Sequence, residues 1–199
     1  MRGSTMTAWD RLAKRFDTPA PGDEDEAVRR AKAYLKPSSE VLEIGCATGA
    51  TAEALRPLVA SWHGVDVSQE MIRRAKVRDV DATFQQGFVQ DVAGSYDVII
   101  CFNVLHFLSL PSDLDHLRRR LRPGGLLLAQ TPCLGDASRK VRWALPLVGL
   151  LLGLAPRRLR FAWLHDQISQ RLDVLEADGS RPMQTWLVAS NPSTAPAVA

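Results

Sequence analysis

Two rhythms of apolar positions alternate along the chain. The run Val41 to Ile44, VLEI, stops at a loop of small residues, Gly45, Cys46, Ala47, Thr48 and Gly49, and a helical spacing then carries Ala52, Leu55 and Leu58. That order reads as a strand, a tight turn and a helix. The succession repeats, with strands predicted at Ser61–Val67, Asp81–Gln86, Tyr96–Phe102 and Leu126–Thr131, and helices at Ser68–Lys76 and Pro111–Leu121. Tyr96–Phe102, YDVIICF, is almost continuously apolar, as a central parallel strand buried on both faces requires.

Before this repeat, Trp9, Leu12, Ala13 and Phe16 fall at i, i+3, i+4 and i+7, which predicts a short amphipathic helix over 8–16. Pro19, Pro21 and Gly22 end it, and the carboxylates of Asp23–Glu26 favour the first turn of a second helix reaching about Leu35. After the repeat, a short helix at 161–169 leads to strands Arg171–Glu176 and Met183–Ser190, joined at Asp178 and Gly179 as an antiparallel hairpin. From Asn191 the tail NPSTAPAVA has the composition of a disordered segment. The fold class is therefore α/β, a doubly wound and mostly parallel sheet with helices on both faces, whose ligand belongs at the carboxyl ends of the strands. The expected organisation is a helical cover over 1–36, one main domain over 37–190 with an insertion at about 135–158, and the tail 191–199.

With 199 residues, 46% hydrophobic and 24% charged, the chain has enough material for one globular α/β core. The net charge of +3 is mild, and the arginines at 118, 119, 120 and 122 read as a solvated face near a helix C-terminus, so no nucleic acid partner is expected. Cys46, Cys101 and Cys133 lack any C-x-x-C spacing, which predicts reduced thiols, no metal site and a cytoplasmic protein. The first residues carry no apolar signal region.

The loop is the chemical centre of the pattern. Glycines there let backbone amides approach a ligand closely. The small residues at Gly45, Ala47 and Gly49, with Glu43 two positions before, fit neither the dinucleotide fingerprint G-x-G-x-x-G nor a P-loop, which needs G-K-[ST]. Taken alone, an ordinary βα turn has the same appearance. Asp66 ends the next strand, at the interval a βαβ unit uses to set an acid at the neighbouring strand tip, where it can accept hydrogen bonds from ribose hydroxyls.

The pieces WDRLAKRFD, VLEIGCATG, GVDVSQEMIRRAK, SYDVIICFNVLHFL and LRRRLRPGGLLLAQTP follow one another over residues 9 to 132. In that order they resemble the class I S-adenosylmethionine-dependent methyltransferases, the small-molecule kind found in ubiquinone and menaquinone biosynthesis. The resemblance implies S-adenosyl-L-methionine as cofactor. It implies that Glu43 orients the loop or the methionine amino group, and that Gly45, Cys46, Ala47 and Gly49 line the cofactor. Asp66 would take the ribose, Val67, Met71, Gly87 and Phe88 would surround the adenine, and Asn103 and Val104 would approach the methionine end.

Three positions depart from that pattern. Ala47 stands where the loop has its middle glycine, a tolerable methyl group. Phe88 stands where many relatives carry an acid, so it either packs on the adenine or points away. Phe16 replaces a common Tyr. A protein base is optional for methyl transfer, and His106 is the candidate, either as a base or as a structural donor packed below the cofactor. The stretch 143–156, WALPLVGLLLGLAP, has basic flanks and is too short to span a bilayer of roughly 30 Å. It reads as a lid over an apolar acceptor, as a peripheral membrane contact, or as a buried helix. The activity expected is methyl transfer to a small, apolar acceptor; a non-catalytic cofactor-binding protein and an RNA or protein methyltransferase are the alternatives. The oligomeric state is not readable.

Overall fold

The computed structural model describes residues 8–13, 25–138, 140–141 and 156–193. Phe16, the stretch 142–155 and the end from 194 lie outside the described residues, and with them the Phe16 departure and nearly all of the apolar stretch.

Among the described residues the sheet has seven strands: β1 Glu40–Ile44, β2 Ser61–Asp66, β3 Thr83–Gln86, β4 Tyr96–Phe102, β5 Leu121–Thr131, β6 Asp173–Asp178 and β7 Thr185–Ser190. Their order is β3-β2-β1-β4-β5-β7-β6. The pairs β1·β2, β1·β4, β2·β3 and β4·β5 are parallel, and β7 is antiparallel to both β5 and β6. This is the doubly wound sheet with a closing hairpin that the periodicity predicts. The order reverses between β1 and β4, so a crevice opens above their carboxyl ends.

Period 2 along the central strands sorts side chains into two cores. Val98 and Ile100 face one side with Val41, Trp62 and Trp186, while Ile99 and Cys101 face the other with Leu42 and Ile44. The first side is covered by α2 Glu26–Lys32, α3 Ala50–Leu55 and α4 Gln69–Val77, through Val28, Leu55 and Ile72. The second is covered by α5 Ser112–Arg120 and α6 Phe161–Ser169, through Leu114, Leu117, Leu164 and Ile168. A further helix, α1, occupies residues 8–12.

Several boundaries differ from expectation, each for a local reason. Helix α2 begins at Glu26 because Asp25 is its cap, its carboxylate accepting from the Ala27 and Val28 amides at 3.0 and 3.1 Å. Strand β5 starts at Leu121 rather than Leu126: Leu121 pairs with Tyr96 and Leu126 with Val98, so the Pro-Gly-Gly turn is a bulge inside the strand. Strand β6 starts two residues late because the Arg171 and Leu172 amides still donate to the Ile168 carbonyl of α6. Asn191, placed in the tail by composition, is pinned instead. Its amide donates to the Gly125 carbonyl at 2.8 Å, and its side chain donates to the Leu121 carbonyl.

Candidate functional site

The loop leaving β1 holds left-handed backbone three times, at Gly45 (φ +74°), Ala47 (φ +46°) and Gly49 (φ +80°). It is tied to the neighbouring strand as well as to itself, where the Gly49 amide donates to the Cys46 carbonyl at 2.9 Å. The Gly45 and Cys46 amides donate to the Val65 carbonyl at 2.7 and 3.1 Å, and the Ala47 amide donates to the Asp66 carboxylate at 3.0 Å. The other Asp66 oxygen accepts from the Ser68 amide at 2.9 Å. Ser68 in turn caps α4 by accepting from the Met71 amide.

These ties form the floor of a cavity of about 650 Å³ over the crevice, within the size range of small-molecule sites. Of the residues singled out from sequence, Glu43, Gly45, Cys46, Ala47, Asp66, Val67, Met71, Gly87, Phe88, Asn103 and Val104 line it. They come from four strand ends and, for Met71, from α4. Gly45 is required by contact: a Cβ there would stand 2.7 Å from a Val104 methyl carbon. Phe88 lines the cavity.

Two of the named residues do not line the cavity. Gly49 is buried beneath the loop, where an added Cβ would meet Ala75 and Phe84 at 3.1 Å. Its job is to let α3 close onto the sheet. His106 is only 7% exposed and shares a hydrogen bond with the Thr131 hydroxyl at 3.0 Å. Burial pushes its pKa down to about 4. A general base must reach the proton it removes, and His106 is instead packed against Thr131, off the cavity lining.

Burial also governs the acids. Glu43 is 2% exposed and accepts from the Trp62 indole at 3.1 Å. Burial raises its pKa to about 7, against the pull of hydrogen bonds from Thr51 and Trp62. Asp66 is half-buried, and burial raises its pKa too, opposed by the Ser68 and Ala47 amides. Among the described residues no group of three or more His, Cys, Asp or Glu side chains is placed to hold a metal.

Several lining residues were not singled out from sequence. Trp9 of α1 reaches the cavity and meets Phe107 edge to face, centroids 5.2 Å apart. Asp10, beside it, accepts from the Ser68 hydroxyl and the Glu70 amide, which ties α1 to the start of α4. Gln90, Asp113 and Arg157 complete the wall. The amphipathic stripe over 8–16 marks Trp9 as apolar without saying that it ends over a cavity, and Arg157 reads only as a basic flank.

A family model described as a methyltransferase domain matches residues 14–173. The chain belongs to that family. It is 35% identical over 105 residues to a trans-aconitate 2-methyltransferase of Deinococcus radiodurans, a match spanning 51% of this chain and 41% of that protein. It is 33% identical over 123 residues to a highly reducing polyketide synthase of Emericella nidulans, spanning 51% of this chain and 5% of the synthase. The chain thus matches less than half the length of either curated relative. The structure of magnesium protoporphyrin IX methyltransferase from Synechocystis with bound SAH superposes with a TM-score of 0.69 at 17% identity, covering 95% of each chain. At that identity the likeness is one of fold.

Membership implies S-adenosyl-L-methionine as cofactor, and the residues present fit it. Two carboxylates offer acceptor oxygens to hydroxyl and ammonium groups, while Val67, Met71 and Phe88 offer apolar surface to a flat base.

Proposed function

We propose that this chain transfers a methyl group from S-adenosyl-L-methionine to a small-molecule acceptor with an apolar body. The carrying observation is the pair Glu43 and Asp66, which end adjacent parallel strands, line one cavity and bracket the left-handed loop between them. In this reading Asp66 holds the ribose, Glu43 and Asn103 face the methionine end, and Val67, Met71, Gly87 and Phe88 enclose the adenine. Gly45, Cys46, Ala47 and Val104 bring the backbone close.

Bound there, the cofactor supplies an electrophilic methyl group on a sulfonium. The chain's own contribution is placement. Residues from the ends of β1, β2, β3 and β4 fix the donor, and Trp9, Phe107 and Leu108 add apolar surface to the cavity wall that excludes water. Holding two reactants in near-attack geometry is worth roughly 7–11 kcal/mol of barrier, so no protein base is needed unless the acceptor must lose a proton. The trans-aconitate 2-methyltransferase relative supports a small acceptor. Three free, buried cysteines support a reducing compartment, and we place the protein in the cytoplasm.

Calorimetric titration with S-adenosylmethionine and S-adenosylhomocysteine, with NAD as control, tests the reading. Binding of the first two alone is the expected result, followed by methyl transfer in a screen of phenols, quinols and organic acids. Absence of binding overturns it, and binding without any product in the screen favours a non-catalytic cofactor-binding role.

A further inference from the structure

The cavity wall carries a cation that the reading above leaves without a task. The Arg157 amide donates to the His106 carbonyl at 2.7 Å, and its guanidinium donates through one nitrogen to the Leu110 carbonyl at 2.7 Å. These two bonds hold the side chain against the segment that follows β4, with the cation on the wall of the cavity.

A guanidinium has five donors, and Leu110 occupies one of them. An acid that lines the same cavity is not its partner. Asp113 is 3% exposed, and its two oxygens accept from the Gln90 side-chain amide and the Ser109 backbone amide. Arginines elsewhere, such as Arg74, Arg122 and Arg171, stand within 3 Å of a carboxylate. Among the described residues Arg157 has no such ion pair, and neither have Arg158 and Arg160 beside it in sequence; all three are exposed. A planar cation with spare donors on a concave, partly apolar wall suits a planar anion, and further positive charge beside it in sequence draws such a ligand in.

We propose that Arg157 binds a carboxylate of the methyl acceptor, so that the substrate class is an organic acid with an apolar body. The inference rests on the reading of this cavity as a methyltransferase site. Residues assigned to the cofactor come from the ends of β1, β2 and β3 and from the first two positions after β4. Arg157 comes from beyond β5 and is anchored to Leu110, seven residues further along than Asn103. The cofactor reading above draws only on the first set. Trp9 and Phe107 supply apolar surface for the body of the acid.

The test is a chemical-shift titration of wild type, Arg157→Gln and Arg157→Lys, each saturated with S-adenosylhomocysteine, using benzoate and its neutral counterpart benzamide as probes. Benzoate should bind wild type, and bind Arg157→Gln about tenfold more weakly or less. Arg157→Lys should recover part of the loss, and benzamide should not distinguish the variants. S-adenosylhomocysteine affinity and thermal midpoint should be the same in all three. Equal behaviour of benzoate toward wild type and Arg157→Gln, including no binding to either, overturns the proposal. So does a loss of S-adenosylhomocysteine affinity in Arg157→Gln, which would assign the arginine to the cofactor's carboxylate. If S-adenosylhomocysteine fails to bind wild type, the methyltransferase reading falls, and the benzoate titration of the free protein still decides the role of Arg157.

Discussion

The Asp66 carboxylate accepts a hydrogen bond from the Ala47 amide at 3.0 Å, so the acid expected to hold the ribose also holds the loop beside it in its left-handed turn. One side chain thereby joins two strand ends, and its loss acts twice. Hydrogen bonds to charged groups are worth about 1.5–3 kcal/mol each. Asp66→Ala should weaken S-adenosylhomocysteine binding by about a hundredfold and lower folding stability by about 1–3 kcal/mol. Calorimetry and urea unfolding read the two effects separately. Unchanged cofactor affinity would remove Asp66 from the binding model.

Glu43 predicts an unusual alkaline weakness. Its pKa rises from 4.5 to about 7 in the fold, so between those values the folded chain holds a proton that the unfolded chain has lost. Stability contributed by the protonated acid is complete at the acid end, falls as pH rises past 4.5, and is fully lost above about 7. The loss is on the order of 3 kcal/mol. Glu43→Gln keeps the shape and removes the titration. Its stability relative to wild type should grow from pH 5 to pH 8 in urea unfolding, and a difference independent of pH would refute the shift.

His106 acts in the opposite direction. Its pKa falls from 6.5 to about 4, so on acidification the unfolded chain takes up the proton first. The stability of the neutral, buried ring is present above 6.5 and drains away as pH falls toward 4. His106→Asn should flatten this acid limb. Because the ring stays neutral through the working range, the pH profile of kcat in wild type should show no step from it between pH 6 and 8. A step that disappears in the variant would restore His106 as a base.

Gly49 is under two separate constraints. At φ +80°, with Ala75 and Phe84 3.1 Å from where a Cβ would stand, Gly49→Ala costs left-handed strain of about 1–2 kcal/mol plus the displacement of α4 or β3. The expected loss is about 2–3 kcal/mol, seen as a lowered denaturation midpoint. Cofactor affinity extrapolated to the folded fraction should change little, since Gly49 does not line the cavity. A large affinity loss with normal stability would contradict that division of labour.

Trp9 and Phe107 join α1 to the segment after β4 at the cavity wall. Such an edge-to-face pair adds about 0.5–1.5 kcal/mol beyond burial. Trp9→Ala should raise KM for the acceptor and weaken cofactor binding several-fold while leaving the sheet unfolding unchanged. Indole fluorescence of the Trp9→Phe variant, compared with wild type on addition of S-adenosylhomocysteine, checks whether Trp9 senses the site.

The order of elements, the parallel centre of the sheet and the closing hairpin were legible in the sequence because each is a local matter. Period 2 against period 3.6 separates strands from helices, the βαβ interval picks out Asp66, and the family resemblance, not the rhythm, supplied the rest of the eleven lining residues, Glu43, Phe88 and Asn103 among them. What only the tertiary structure decided is where side chains distant in sequence meet. Gly49 looks like its neighbour Gly45 until Phe84, from β3, is seen packed beneath it. His106 sits three residues after Asn103 yet turns inward to Thr131, because the short helical turn at Leu105–Phe107 rotates its side chain into the core. Trp9 and Arg157 reach the cavity from segments on either side of the repeat and Asp113 from a helix within it, while burial is the largest influence on the Glu43 and His106 protonation states. Hydrophobic rhythm is a property of neighbours along the chain; desolvation and the pairing of charges depend on contacts that exist only once the chain has closed.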